Sequence, residues 1–314
     1  MKEEKEEKVN SEKQNRKVKV AGIQMVCHQE TERNLEKTLN LIDLASEQGA
    51  RIICLQEFFH TPWFPAKADE KNFDLSETVS GNTITALRDK AKEKRVVIVS
   101  PIFEKAMDGL YYNTTVVINK GGKILGMYRK NHIPNIAYWE EGYYCSRGDL
   151  GFPVFHTESA VIGIQMCWDN FFPEGTRILA LKGAQIIFCP TACAFASQSK
   201  WEKVISANAM NNGLFCFRVN RVGKENGLDF YGQSFCVDPE GEFVAGPSGL
   251  TDAVVLAQVD LGKIEETRQT WNFFKERRPE IYGEIIGKNW LEALNNMMPH
   301  KKARIKGERH DAHC

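Results

Sequence analysis

Glu57, Lys130 and Cys167 are a carboxylate, an ammonium and a thiol, and each closes a short apolar run just before an irregular or turning segment. A thiol needs a proton acceptor to attack an acyl carbon near neutral pH. A buried carboxylate with a raised pKa can take that proton and later return it to a leaving amine. An ammonium can hold the negative charge that appears on the acyl oxygen, helped by the amide N–H of Trp168. Together the three describe amide-bond hydrolysis through a thioester. Taken singly each has an ordinary alternative, a buried small hydrophobe for Cys167 and solvated charges for Glu57 and Lys130.

The elements around them read as α/β. Residues 160–167 are an apolar run ending in the cysteine, and Pro173-Glu174 opens a helical segment closed by Gly183, giving strand, cysteine, turn, helix. Residues 18–25 and 50–57 predict strands, with a helix over 31–48 between them that repeats Leu35, Leu39, Ile42 and Ala45 on one face. Such β–α–β alternation implies parallel pairing, with ligand groups at the carboxyl ends of strands. A helix over 81–94, a strand over 96–103 and a hairpin over 112–128 follow, and the hairpin delivers Arg129-Lys130. After Cys167 the spacing predicts strands over 185–189, 214–220, 230–237, 243–245 and 253–259, and helices over 200–212 and 263–268. Two long loops, 58–80 and 131–151, hold aromatic side chains and are read as functional.

Lysine and arginine number 41, as do aspartate and glutamate, so no global field invites nucleic acid or an anionic membrane. A small neutral or singly charged substrate fits better. Nine scattered cysteines without CxxC pairs suggest reduced thiols in the cytoplasm. Residues 1–16 are polar and charged, expected to form a solvated tail, and no stretch has the ~18 apolar residues that span a bilayer. One domain is expected over 17–283. Residues 284–314, with Trp290, Leu291, Leu294 and Met297, are expected to pack on a partner subunit or fray. The histidines lack metal-ligand spacing, and the closing His310-Asp311-Ala312-His313-Cys314 is read as at most an adventitious metal site.

These motifs, Leu55-Gln56-Glu57, Tyr128-Arg129-Lys130-Asn131-His132 and Met166-Cys167-Trp168-Asp169, resemble the carbon–nitrogen hydrolase (nitrilase) superfamily over nearly the whole chain. The resemblance implies an α-β-β-α sandwich that dimerises into an eight-layered stack, with larger homo-oligomers common, and a Glu57–Lys130–Cys167 triad that uses no metal or other cofactor. It also implies a second glutamate beside the lysine. That residue falls on Glu141, with Glu140 the neighbouring alternative.

Within the superfamily the chain looks most like the N-carbamoylputrescine amidases, in Asn220-Arg221-Val222-Gly223-Lys224-Glu225 and Phe230-Tyr231-Gly232-Gln233-Ser234-Phe235 among other pieces. The likeness implies hydrolysis of N-carbamoylputrescine to putrescine, carbon dioxide and ammonia. An aliphatic or omega-amidase and a carbamoyl-β-alanine hydrolase are the alternatives within the enzymes, and a non-catalytic scaffold of the same fold is the alternative outside them. Relatives acting on N-carbamoyl-D-amino acids carry arginines just after the cysteine to hold a carboxylate; here those places are Asn170, Phe171 and Phe172. An apolar surface does not compensate a desolvated carboxylate, which favours an amine or neutral substrate. Trp168, Asn170, Phe171, Phe172, Trp63, Tyr138 and Thr191 are expected to line the pocket.

Overall fold

The computed structural model describes residues 16–195 and 197–287. The first part of the chain forms β1 (Lys17–Gln24), α1 (Thr31–Glu47), β2 (Ile52–Leu55), α2 (Asn82–Lys94), β3 (Val97–Met107), β4 (Leu110–Ile118), β5 (Ile124–Arg129) and the single turn α3 (Glu141–Tyr144). There follow β6 (Val154–His156), β7 (Val161–Ile164), α4 (Pro173–Leu181), β8 (Ile186–Thr191), α5 (Gln198–Asn212), β9 (Phe215–Asn220) and β10 (Val222–Glu225). The last are β11 (Leu228–Tyr231), β12 (Phe235–Val237), β13 (Phe243–Ala245), β14 (Ala253–Asp260), α6 (Gly262–Thr270) and the single turn α7 (Gly283–Ile286).

One six-stranded sheet has the order β14-β1-β2-β3-β4-β5, the other β13-β12-β9-β8-β7-β6, and β10 and β11 form a separate ribbon. The parallel centres, β1-β2-β3 and β7-β8-β9, are the segments with β–α–β spacing. Their strands are continuous apolar runs because both faces are covered: β2, β8 and β9 are buried at every residue. The two sheets pack on each other, and Gly22 of β1 permits the approach. A Cβ there would lie 2.7 Å from Val219 and 2.9 Å from Phe217 on β9. Helices α1 and α2 bury Ile42, Ala45, Ile84, Leu87 and Ala91 against the first sheet, and α4 and α5 cover the second.

The segment expected as one strand over 230–237 is two, in different sheets. Gly232 and Gln233 both take positive φ, 62° and 51°, and turn the chain out of the ribbon into the second sheet. Strand β3 runs on to Met107 because β4 folds back on it through the turn at Gly109. The loop 58–80 contains two short 3₁₀ turns, Phe64–Ala66 and Glu70–Leu75, packed through Phe64 and Phe73 on Phe103, Tyr111 and Tyr144. Strand β6, short and at a sheet edge, had no foreseen counterpart.

The described residues up to Trp271 form one compact unit and those from Asn272 belong to a second, a division that falls inside the 17–283 span. The expected tail, apart from Arg16, and the expected extension beyond residue 287 lie outside the described residues. Among the described residues no helix is long and apolar enough to cross a membrane.

Candidate active site

Cys167 begins a 3₁₀ turn, Cys167–Phe171, just past the end of β7. Its φ is +43°, a left-handed conformation that costs a β-carbon residue about 1–3 kcal/mol and persists where surroundings over-determine it. The Asn170 amide donates to the carbonyls of Gln165 (2.8 Å) and Cys167 (2.9 Å). Asn208 of α5 donates to the Asn170 carbonyl at 2.9 Å, and Gln165 Nε2 to that of Asp169 at 2.7 Å. The buried Asp169 carboxylate accepts from the Tyr128 hydroxyl and from the backbone N–H of His132 (2.9 Å). The turn is therefore held from α5, from β5 and from the segment after Lys130.

Glu57, Lys130 and Glu141 are all fully buried and meet at one point. Lys130 Nζ donates to Glu57 Oε1 at 2.8 Å and lies 2.8 Å from each Glu141 oxygen. Asn113 of β4 supplies a second donor to both acids, at 2.8 Å to Glu57 Oε1 and 3.2 Å to Glu141 Oε2. Glu57 Oε2 is buried and accepts no hydrogen bond. Backbone bonds fix the lysine, whose N–H donates to Asn113 O (2.9 Å) and whose carbonyl accepts from Gly148 (2.8 Å). The loop after Glu57 is fastened by Arg221, which donates to the carbonyls of Phe58 (3.1 Å) and Thr61 (2.7 Å) while pairing with Glu225.

Burial alone would lower the Lys130 pKa, but the charges of Glu141 and Glu57 outweigh it and hold the ammonium well above its usual range. Burial pushes the Glu141 carboxyl up to about 7 against the pull of Lys130. A hydrogen bond with Cys193, then burial and the Glu57 charge, raise the Cys167 thiol well above its ordinary value, with Lys130 opposing. The thiol is thus protonated at neutral pH and needs a base in place. The free oxygen of Glu57 is the group with an acceptor to spare.

The structure brings together Glu57, Lys130 and Glu141, with Cys167 in electrostatic reach of the first two. Glu140 instead turns away and accepts from the Ala68 N–H at 2.9 Å. Asn170 braces the turn. Trp63 is buried in an aromatic cluster, its indole donating to Tyr138 O at 2.9 Å, and the Thr191 hydroxyl donates to Cys189 O at 2.8 Å. Phe172 stacks on His132 with ring centroids 3.7 Å apart, Trp168 is half-buried, and Tyr138 and Phe171 expose about half their surface. Asn113 and Arg221 were missed by the reading of the residues. The signal present was a polar side chain set within or directly after an otherwise apolar strand.

The family model of the carbon–nitrogen hydrolases matches residues 19–269, which include every residue of this cluster. The chain belongs to the carbon–nitrogen hydrolase family. It is a hydrolase acting on carbon–nitrogen bonds other than peptide bonds. A tomato (Solanum lycopersicum) N-carbamoylputrescine amidase is 37% identical over 288 residues, covering 87% of this chain and 96% of that protein. A citrullinase from Francisella tularensis is 34% identical over 282 residues, covering 86% and 99%. The crystal structure of a carbon–nitrogen hydrolase from Helicobacter pylori G27 superposes with a TM-score of 0.83 at 32% identity, covering 87% of this chain and 99% of that one. The two-sheet architecture is thus that of the nitrilase fold.

Proposed function

We propose that this hydrolase cleaves the terminal ureido group of N-carbamoylputrescine, giving putrescine, carbon dioxide and ammonia. The observation that carries the reading is the unpaired, buried Oε2 of Glu57 in a cluster that otherwise satisfies every acceptor of Lys130's two carboxylates. The likeness to N-carbamoylputrescine amidases over nearly the full length supports the substrate.

Glu57 Oε2 takes the Cys167 proton as the sulfur attacks the ureido carbon. Lys130 Nζ and the Trp168 N–H bind the oxygen as it becomes negative. On collapse one nitrogen of the urea leaves as an amine and takes the proton back from Glu57, and a thioester remains on Cys167. Water, deprotonated by Glu57, then attacks the thioester carbon. The thiol leaves reprotonated, and the released carbamate breaks down to carbon dioxide and the second amine. Glu141 holds Lys130 in place throughout. The enzyme works as a homodimer or larger homo-oligomer in the cytoplasm, where its cysteines stay reduced; the eight cysteines among the described residues are all free thiols.

The test is to supply N-carbamoylputrescine, N-carbamoyl-β-alanine and a plain aliphatic amide and to measure ammonia and carbon dioxide separately. Equal release of both from N-carbamoylputrescine is expected. Ammonia alone, from the aliphatic amide alone, would replace the reading by a simple amidase.

A further inference from the structure

Buried cations in this chain are paired with carboxylates: Lys130 with Glu57 and Glu141, and Arg221 with Glu225. Arg218 breaks the pattern. It stands near the carboxyl end of β9, is 1% exposed, and meets no carboxylate among the described residues. One guanidinium nitrogen donates to the Tyr231 hydroxyl at 2.8 Å, and another reaches the Gln233 carbonyl only at 3.5 Å. Its Nε is buried without a partner. Around it stand the rings of Trp201 (4.9 Å), Tyr231 (5.1 Å) and Phe235 (5.9 Å).

Aromatic faces recover part of the cost of burying a cation, but an unpaired buried charge remains unfavourable. An anion would remove that cost, and the unused Nε sits on the edge of the guanidinium that forms paired bonds to a carboxylate. The surroundings lead back to the nucleophile on two sides. Phe171, four residues after Cys167 in the same turn, packs edge-on against Trp201 with centroids 4.8 Å apart. Phe195, on the segment that follows β8 and also carries Cys193, packs on Tyr231 at 5.5 Å. Both outer rings are more than two-fifths exposed and form the solvent side of the cluster around Arg218.

We infer that Arg218 is a specificity-determining residue, the anchor for a carboxylate at the end of the substrate remote from the ureido group. The inference rests on reading the site as one that takes ureido groups. It extends the substrates from N-carbamoyl amines to ureido acids, among them the ω-ureido α-amino acid that is N-carbamoylputrescine with a carboxylate on its ammonium-bearing carbon. The cation absent from Asn170, Phe171 and Phe172 is supplied by the neighbouring strand instead of by the turn. An arginine in the apolar run Phe215-Cys216-Phe217-Arg218-Val219 was the available sequence signal.

Calorimetric binding to C167A and to C167A/R218M tests this, with citrulline, N-carbamoyl-β-alanine and N-carbamoylputrescine as probes. Loss of a charge-assisted pair is expected to lower the affinity ratio of citrulline to N-carbamoylputrescine about ten- to hundredfold, with an intermediate ratio in C167A/R218K. Failure of both carboxylate probes to bind C167A overturns the inference. So does an equal weakening of all three probes in R218M, the mark of a structural arginine. If the parent enzyme hydrolyses N-carbamoylputrescine and no carboxylate binds, the inference fails and the proposed function stands. If the carboxylates bind through Arg218 and no ureido compound is turned over, the proposed function fails and the inference stands.

Discussion

Glu57 gives Lys130 only one of its two oxygens: Oε1 lies 2.8 Å from Nζ, and the equally buried Oε2 accepts nothing. The charge of the base is balanced by the ammonium while one lone-pair face stays open for a proton. Replacing Glu57 by Gln keeps the shape and removes that basicity. E57Q is expected to fold with an unchanged circular dichroism spectrum and to lose about 10²- to 10⁴-fold in kcat, read by ammonia release.

Glu141 titrates where activity would feel it. Burial lifts its carboxyl to about 7, so below that pH it is protonated and leaves Glu57 as the sole counter-ion of Lys130, less basic for it. The value of kcat/KM is expected to rise with pH through about 7 to a plateau, and E141Q is expected to lack that limb. Cys167 lies well above the ordinary thiol range and gives up its proton to Glu57 only in the attack step, so its own titration places no inflection between pH 7 and 9. A pH–rate profile of the two proteins checks both statements.

Asn113 donates to both acids at once. N113L keeps the branching of the side chain and leaves two carboxylate oxygens a donor short, a cost of about 1–3 kcal/mol, or roughly ten- to hundredfold in rate. Less stabilised carboxylates also hold protons longer. The acidic limb of the N113L profile is therefore expected to move to higher pH, which a merely loosened fold would not produce.

His60 is buried, neither ring nitrogen makes a hydrogen bond, and its Nε2 stands 4.0 Å from Glu77 Oε1. Burial depresses its pKa from 6.5 to about 4, with Glu77 opposing and Arg221 assisting. The unfolded chain therefore takes this proton first as pH falls. The contribution to stability is full above about pH 6.5 and is lost progressively down to about pH 4, to the extent of about 3 kcal/mol. Urea unfolding of the wild type and H60L at pH 7.5 and 4.5 is expected to show the smaller acid loss in H60L.

The strands and helices that carry the cluster were legible because their apolar periods are strong and their stops are marked by Gly or Pro. The meeting of Glu57 with Lys130 was legible as two strand ends of β–α–β type. Roles that depend on where a side chain points were not. Asn170 and Trp63, expected to line the pocket, are tied into the turn and an aromatic cluster. Asn113, Arg218 and Arg221 reach partners between 13 and 160 residues away in sequence. Their partners are set by sheet register, which a linear pattern does not reveal. The break between β11 and β12 was hidden for a related reason: it depends on a positive φ at Gln233, a residue type that rarely marks one.

The most direct measurement is intact-protein mass spectrometry on enzyme quenched during turnover of N-carbamoylputrescine, followed by peptide mapping. The account predicts a carbonyl-containing adduct on the peptide bearing Cys167 of the wild-type enzyme, and both adduct and turnover absent in C167A. Turnover that persists in C167A would contradict it.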